Sequence, residues 1–301
     1  MNVLPDGTVL CCYECRLSDS DWSAAAVGLR RVFPGGTVGE RLTIADGTGR
    51  NAVGNPVLFV SGRRVVFLYC ENYKRVFCRA SEDGGISFGE PREITYAVEK
   101  GLAGVFWSVI ATGPGHGTAL DSGRLIAPVW FASDPLDFFS HHPSRIACLY
   151  SDDGGVTWDL SPPIDTGGIK DPSECCLGET GEGLMISIRN ENESRRRFVS
   201  FSGDGGLTWS ACRETDLRDP VCCAGMCRAG NGLLFSNCDS ETERRDLTLK
   251  RLGPDGNVLE TLSVSASGGY SDVIYDTVRG AAYILFEHNR GLRLAKTENM
   301  A

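Results

Sequence analysis

Three aspartates occupy the same position in three nearly identical eight-residue phrases, and a carboxylate can serve as an acid or a base in catalysis. The phrases read SEDGGISF, SDDGGVTW and SGDGGLTW, and their central aspartates are Asp83, Asp153 and Asp204. Intervals of 70 and 51 residues put the copies in separate repeat units, where they cannot converge on one substrate. The pattern instead predicts a turn in which Ser and Asp cap backbone N–H groups, the glycines supply positive φ and the aromatic residue packs under a hairpin.

Cysteine is a second residue type that could do chemistry, because its thiolate binds metals. The chain has 13 cysteines, and the clusters CCYEC, ECC and VCCAGMC begin at residues 11, 174 and 221. No C-x-x-C pair is followed by a matching second pair or by two histidines, and an odd number cannot pair completely within one chain. We therefore expect buried, reduced thiols on strands, with disulfides and a metal site as the alternatives.

Composition indicates an ordinary globular protein built from strands. The chain of 301 residues is long enough to bury one large core or two smaller ones. It contains 37 glycines, and its longest apolar runs, NPVLFV and RVVFLY, have the length of strands. The net charge of −9 argues against nucleic acid or an anionic membrane as a partner, because both need a basic face.

The sequence shows no membrane-spanning or export segment. No stretch approaches the roughly 20 apolar residues of a membrane span, and Met1 is followed by NVLPDG rather than by a basic and then apolar leader. The chain as written is therefore expected to be soluble and cytoplasmic. A secreted or lysosomal location stays open if further residues precede Met1.

The spacing of the aspartate phrases measures a structural repeat. Weaker echoes, RRVFPGGTV at 30–38 and LGPDGNVL at 252–259, lie about fifty residues before the first copy and after the third. A repeat of about fifty residues matches a four-stranded propeller blade, whereas helical repeats are shorter and show a 3.6-residue period. No linker divides the short strands, so we predict an all-β propeller in a single domain over residues 1–301.

The phrase S-x-D-x-G-x-T-W resembles the Asp box of the sialidases, or neuraminidases. The resemblance extends to the segments between the boxes, in order, from residue 4 to about residue 288. Because non-enzymatic propellers also carry Asp boxes, those segments are the more specific signal. The resemblance implies a six-bladed β-propeller that acts as an exo-α-sialidase, hydrolysing terminal α-linked sialic acid from glycoproteins, glycolipids or oligosaccharides with retention.

The segments in the first half of the chain match four site residues of the family. CYECRLSDSDWSAAAVGLRR, residues 12–31, resembles the segment in which E-x-R is followed five residues later by the acid/base aspartate. That similarity places Glu14, Arg16 and Asp21 on the family's site residues. GRLIAPVW resembles the wall that faces the glycerol arm of the sugar, which makes Trp130 a candidate wall residue.

The segments in the second half match the family's carboxylate clamp. PSECCLGETGEGLMISIRN resembles the strand pair that carries a glutamate and, about fifteen residues on, a clamp arginine, here Glu174 and Arg189. ERRDLTL is similar to the motif of another clamp arginine. In that motif the arginine stands two residues before the aspartate, and this spacing to Asp246 matches Arg244 rather than Arg245.

The last matching segment, GGYSDVIYD followed by YILFE, resembles the motif of the nucleophilic tyrosine and the glutamate of a final strand. These residues are Tyr270 and Glu287. In the family that glutamate supports a first clamp arginine, which stands in a short R-I-P motif just before LPDGTLL. Here LPDGTVL starts at residue 4, so the motif would fall before Met1. We expect the first clamp arginine and a first strand to be absent from the chain as written, and favour a start assigned too late over a degenerate enzyme.

The residue types fit the chemistry that the resemblance implies. Guanidinium groups such as Arg189 and Arg244 can grip the carboxylate of sialic acid bidentately. Because that carboxylate sits on the anomeric carbon, a neutral Tyr270 activated by Glu174 avoids the repulsion that a carboxylate nucleophile would meet. Asp21 would protonate the leaving oxygen and then deprotonate water. This scheme needs no cofactor or metal, and its partner is a sialylated glycan.

Two features keep a second interpretation open. Loss of one clamp arginine removes about 2–5 kcal/mol of binding, so a non-catalytic sialoglycan-binding propeller is the alternative function. Cys223 lies near the position where some family members present a glutamine to the sugar, which makes the substrate preference uncertain. The sequence does not determine the oligomeric state.

Overall fold

The computed structural model describes residues 1–47, 49, 51–298 and 300, and their backbone is almost entirely β. In this part of the chain, 25 strands are accompanied by one helix, α1 (Thr95–Gly101). No helix within the same residues is both long and apolar enough to cross a membrane. The chain forms two compact units: Met1–His142 with Leu149–Leu160, and Pro143–Cys148 with Ser161–Ala301.

Three sheets come from the first half of the chain. The first sheet consists of β1 (Asn2–Val3), β2 (Val9–Arg16), β3 (Ala25–Val32) and β4 (Leu42–Asp46). The second contains β5 (Val53–Ser61), β6 (Arg64–Glu71), β7 (Arg75–Ser81) and β8 (Arg92–Glu93). After α1 come β9 (Val109–Thr112), β10 (Gly115–His116), β11 (Thr118–Ala119), β12 (Leu125–Ala132), β13 (Ser144–Ser151) and β14 (Asp159–Leu160). Of these, β10 pairs in parallel with β5, and the other five strands belong to the third sheet.

Three further sheets belong to the second unit. The fourth sheet consists of β15 (Cys176–Thr180), β16 (Gly183–Ile188), β17 (Arg196–Ser202) and β18 (Arg213–Arg218). The fifth consists of β19 (Gly225–Ala229), β20 (Gly232–Cys238), β21 (Arg245–Leu252) and β22 (Val258–Ser267). The sixth consists of β23 (Ser271–Asp276), β24 (Ala281–His288) and β25 (Gly291–Thr297).

Each unit is held by side chains that alternate along the strands into buried layers. In the first unit, one such layer contains Leu10, Val27, Leu29, Leu58 and Phe67. In the second, two layers lie around Met185, Met226 and Phe235 and around Leu234, Val273 and Ile284. Burial of such side chains supplies the main favourable free energy of folding.

The aspartate phrases form the predicted turns, each between the last two strands of a sheet. At Asp153, Oδ1 accepts hydrogen bonds from the backbone N–H of residues 156 and 157 at 3.0 and 2.8 Å, and from Ser151 Oγ at 2.8 Å. Asp83 and Asp204 accept the equivalent bonds. Donation from Thr157 lowers the pKa of Asp153 to about 2. The interpretation of the phrase as a turn is therefore confirmed.

Arginines of a preceding sheet attach to two of these turns. Arg31 on β3 donates to the carbonyl oxygen of Gly84, and Arg64 on β6 donates to that of Gly154 at 3.0 Å. These two phrases thus close their own hairpins and also connect their sheets to the preceding ones.

The fold class is confirmed. Six small sheets, each made mainly of sequential antiparallel strands, follow one another along the chain, and this is the strand pattern of a six-bladed β-propeller. The single domain over residues 1–301 and the missing first strand stay predictions.

Candidate active site

Three predicted site residues of the first unit form one hydrogen-bonded group. We call Glu14, Arg16 and Asp21 the Asp21 group. Glu14 and Arg16 are two residues apart on β2 and so project from the same face, while Asp21 lies in the turn before β3. Arg16 donates from Nε to Glu14 Oε2 and from Nη1 to Asp21 Oδ1, both at 2.5 Å. The other oxygen of Asp21 accepts no hydrogen bond from the described residues.

A bulge in β5 holds the Asp21 group in place. The backbone N–H of Asn55 donates to Glu14 Oε1 at 2.6 Å, and Asn55 has the left-handed φ of 54°. The preceding glycine leaves room for this carboxylate, because a Cβ at Gly54 would lie 2.5 Å from Glu14 Oε1 and displace it. Burial lowers the pKa of Arg16, but the charges of Glu14 and Asp21 raise it above its ordinary value. Arg16 therefore stays a cation that orients both carboxylates.

Five rings of the first unit pack together next to Asp21, and we call Trp22, Tyr73, Trp130, Phe139 and His141 the aromatic cluster. Trp130, the predicted wall residue, lies on β12 with its ring centroid 5.1 Å from His141 and 6.1 Å from Tyr73. Its buried indole N–H has no hydrogen-bond partner among the described residues. The sequence predicted only this one member. Tyr73 could not be predicted as a member, because its left-handed φ of 51° is unusual for an aromatic residue and no sequence motif indicates it.

The remaining predicted residues lie in the second unit, and we call them the Tyr270 group. Each stands at or near a strand end, where a side chain can leave the sheet. Tyr270 precedes β23, Glu174 lies two residues before the start of β15, Arg189 follows β16, Arg244 precedes β21, and Glu287 lies near the end of β24.

Tyr270, Glu174 and Arg189 share a compact hydrogen-bond network. Tyr270 Oη donates to Glu174 Oε1 at 2.6 Å, and Arg189 Nη1 donates to Tyr270 Oη at 2.9 Å and also to Glu174 Oε2. Burial, together with the charge of Glu174, raises the pKa of the Tyr270 phenol well above its ordinary value. The phenol is therefore neutral at rest, with a carboxylate placed to take its proton.

Of two adjacent arginines, the structure brings Arg244 to Tyr270. The guanidinium carbon of Arg244 lies 5.0 Å from the centre of the Tyr270 ring. Arg245 instead pairs with Glu243 at 3.1 Å and with Asp246 at 2.7 Å. Arg244 forms no ion pair with any described carboxylate, so its charge is available to a ligand.

Glu287 positions the backbone of Tyr270. Its Oε2 accepts the Tyr270 N–H at 2.9 Å, and its own N–H donates to the Tyr270 carbonyl at 3.0 Å. A Cβ at Gly269 would overlap with the same oxygen and lie 2.9 Å from the Glu287 Cβ, so the glycine before Tyr270 permits this close approach.

A buried arginine that sequence reasoning missed lies beneath Glu174. Arg197 on β17 is fully buried and pairs with Asp219 at 2.7 Å. It also donates to Ser187 Oγ at 2.8 Å and to the Glu174 carbonyl at 3.4 Å. Three consecutive arginines precede Phe198, and no sequence signal marked one of them as the core residue.

The Tyr270 group lies away from the Asp box of its own sheet. In the fourth sheet, Glu174 and Arg189 adjoin one end, while Leu184, at the other end of β16, pairs with Ser202 of the box. The five residue-to-residue steps from Leu184 to Arg189 span about 16 Å of strand. In this sheet the box is structural and remote from the candidate chemistry.

The cysteines are mostly buried, and none of the thirteen forms a disulfide in the part of the chain that the structure describes. Cys223 is 4% exposed, and the charges of Glu174 and Arg189 act on it. Burial raises the pKa of its thiol well above the ordinary value, so Cys223 presents a neutral thiol to the Tyr270 group.

The sheets, the Asp boxes and a tyrosine held between a carboxylate and arginines define a β-propeller of the BNR-repeat class. A family model described as a BNR repeat-like domain matches residues 4–278. The chain is 32% identical to human Sialidase-4 over 234 residues, which cover 66% of this chain and 46% of the relative. It is 35% identical to human Sialidase-3 over 219 residues, again 66% and 46%. The chain belongs to the BNR-repeat sialidase family, and it spans about half the length of these curated relatives.

Solved sialidase structures share the fold. The Hadza microbial sialidase Hz136 aligns with a TM-score of 0.84 at 22% identity, over 100% of this chain and 65% of that chain. A Trypanosoma rangeli sialidase, in complex with 2,3-difluorosialic acid as a covalent intermediate, aligns with a TM-score of 0.76 at 17% identity. That alignment covers 97% of this chain and 52% of the other. At these identities the similarity shows the six-bladed fold.

Proposed function

We propose that this chain is an exo-α-sialidase that releases terminal α-linked sialic acid with retention. The observation that carries the proposal is the 2.6 Å hydrogen bond from Tyr270 Oη to Glu174, with Arg189 donating to the same phenol oxygen at 2.9 Å. A neutral nucleophile beside a proton acceptor suits a substrate whose reacting carbon carries a carboxylate. The sialidase relatives support the same substrate class.

Two arginines are assigned to the substrate carboxylate. The Nε–H of Arg189 is buried and has no hydrogen-bond partner among the described residues, although Nη1 is engaged. Arg244 has no carboxylate partner there either. A buried donor without a partner costs free energy, and a bound carboxylate would remove that cost for Arg189 while neutralising Arg244.

In the first proposed step, Tyr270 Oη forms a bond to the anomeric carbon while its proton passes to Glu174. The glycosidic C–O bond breaks, and the leaving oxygen takes a proton from Asp21. Asp21 has this role because it aligns with the acid/base aspartate of the family, and its unengaged carboxylate oxygen can exchange a proton.

In the second proposed step, water gives a proton to Asp21 and bonds to the anomeric carbon. The Tyr270 C–O bond breaks, and the phenol recovers its proton from Glu174. Two displacements at one carbon give net retention. Glu174 returns its proton to Tyr270, and the proton that Asp21 gave to the leaving group is replaced by one from water.

The test is hydrolysis of a fluorogenic α-sialoside, with the released sugar followed by proton NMR. The expected first product is the α-anomer of sialic acid. A β-anomer as first product would refute the tyrosine mechanism. Binding of sialyllactose without any turnover would refute the enzyme and support the non-catalytic sialoglycan-binding propeller.

A further inference from the structure

We infer that Trp22 and Phe139 form the binding subsite for the first, uncharged sugar of the leaving group. The inference rests on the proposed function, because it needs Asp21 as the acid/base. That carboxyl must reach the glycosidic oxygen, which belongs to the leaving group after cleavage. Trp22 follows Asp21 directly in the turn between β2 and β3. Asp21 also lines one cavity together with Tyr73, and the Tyr73 ring packs against Trp22.

The two rings form an open corner. Their centroids are 4.9 Å apart and their planes meet at 81°, which is an edge-to-face contact. Phe139 is 67% exposed, and Trp22 is partly exposed. A pyranose has one face made mainly of C–H groups, and such a face can cover one ring while its edge meets the other.

Two further rings, those of Tyr73 and His141, pack against Trp22. Tyr73 packs against Trp22 with centroids 4.9 Å apart, and His141 lies 5.8 Å from Trp22 and 5.0 Å from Tyr73. Tyr73 is 6% exposed, and its left-handed backbone is a conformation that a bulky residue adopts only under constraint. The conformation places a large ring beneath Trp22, and strain of this kind is concentrated at functional sites.

The segment that carries Phe139 is ordered by its own hydrogen bonds. The Phe139 N–H donates to Asp137 Oδ1 at 2.9 Å, and Ser140 Oγ donates to the His142 carbonyl at 2.8 Å. A ring held in this way yet left open to water forms part of an exposed apolar surface, which is typical of a binding site.

The charges of the segment favour a neutral sugar as the occupant. Asp134 and Asp137 flank the exposed side chains of Leu136 and Phe138, and Lys74 Nζ lies 5.7 Å from the centre of the Phe138 ring. Two negative charges against one positive charge leave the surface negative beside its apolar groups. An anionic ligand or an anionic lipid surface would be repelled there. A neutral hexose has no charge to oppose the aspartates, and its hydroxyl groups can donate hydrogen bonds to them.

The experiment compares kcat/KM for two substrates with the same sialic acid, α2,3-sialyllactose and sialyl fluoride. Phe139→Ser is expected to lower the value for sialyllactose roughly three- to tenfold, the range of one aromatic contact, and to leave sialyl fluoride within about twofold. Phe33→Ala is the control, because Phe33 is another exposed phenylalanine, in the turn between β3 and β4. It should change neither value.

Each other outcome overturns the inference. Equal losses on both substrates would mean that Phe139 acts on the whole site, and no loss on either would mean that it touches no leaving group. Loss of binding to phosphatidylcholine vesicles without a change on sialyllactose would make the surface a membrane contact. If the wild-type chain hydrolyses neither substrate, the proposed function is wrong and the inference falls with it.

Discussion

Tyr270 and Glu174 are 96 residues apart in the chain and share a hydrogen bond of 2.6 Å. Tyr270 stands before the first strand of the sixth sheet and Glu174 before the first strand of the fourth. Two sheet repeats of about fifty residues each, the fourth and the fifth sheets, therefore lie between the phenol and the carboxylate that accepts its hydrogen bond. The repeat therefore positions the site, because both members of the pair lie just before the first strand of a sheet.

Replacing Tyr270 with phenylalanine removes only the oxygen that would form the covalent intermediate. We expect kcat for a fluorogenic sialoside to fall by at least about a hundredfold, because the remaining groups supply only positioning and acid–base assistance. Binding of free sialic acid, measured by calorimetry, should change little, since Arg189 and Arg244 remain. Undiminished turnover in this variant would exclude Tyr270 as the nucleophile.

Replacing Glu174 with glutamine tests whether the charge of Glu174 raises the pKa of Tyr270. The negative charge of Glu174 raises the pKa of Tyr270, and Arg189 lowers it. Removing that charge should therefore lower the Tyr270 pKa, although burial keeps it above the ordinary value. Ultraviolet titration of Glu174→Gln against the double variant Glu174→Gln/Tyr270→Phe isolates this phenol among the eight tyrosines.

The same Glu174→Gln substitution should also lower kcat about 10²–10⁴-fold, because an amide cannot take the proton. A pKa that rises in the variant, or a kcat that is unchanged, would contradict the assigned pairing of Tyr270 with Glu174.

The propeller could be predicted from the sequence because its signals are local. Each Asp box encodes its turn within eight residues, through hydrogen bonds from Ser151 and Thr157 to Asp153 in the clearest copy. The family resemblance then selected Tyr270, Glu174 and Arg189, and the structure brings these residues within hydrogen-bond distance.

The parts that could not be predicted depend on tertiary contacts without a local signature. Arg197 lies in a run of three arginines, and only packing against Asp219 distinguishes it from its neighbours. Tyr73 and His141 join Trp22 through ring contacts between distant segments, and a left-handed tyrosine contradicts the usual backbone preference. Such features follow from the assembled fold rather than from residue type.

Arg244 and Arg245 form a matched pair of test sites. Replacing Arg244 with lysine keeps the charge but loses the planar fork that grips a carboxylate, so KM for a sialoside should rise roughly ten- to a hundredfold. Replacing Arg245 with lysine should leave KM unchanged, because that side chain pairs with Glu243 and Asp246. A rise in KM for Arg245→Lys alone would reverse the assignment of the clamp arginine.

Replacing Asp153 with asparagine tests whether the Asp box is structural. The loss of hydrogen bonds to a charged acceptor should lower the free energy of unfolding by about 1–2 kcal/mol at pH 7, measured by urea denaturation, with KM unchanged. The pKa of Asp153 is about 2 in the folded chain, against 3.8 ordinarily. Because the folded pKa is depressed, the stabilisation by the charge is present above pH 3.8 and is lost as pH falls towards 2.

The stability difference between wild type and Asp153→Asn should accordingly shrink between pH 4 and pH 2. Asp216→Asn is the control, because Asp216 is exposed on β18 and accepts no side-chain hydrogen bond from the described residues. That variant should match wild type at each pH. A changed KM with unchanged stability in Asp153→Asn would mean that the box acts on substrate rather than on its turn. Since Asp153 holds the backbone N–H groups of residues 156 and 157, stability is the quantity that we expect to move.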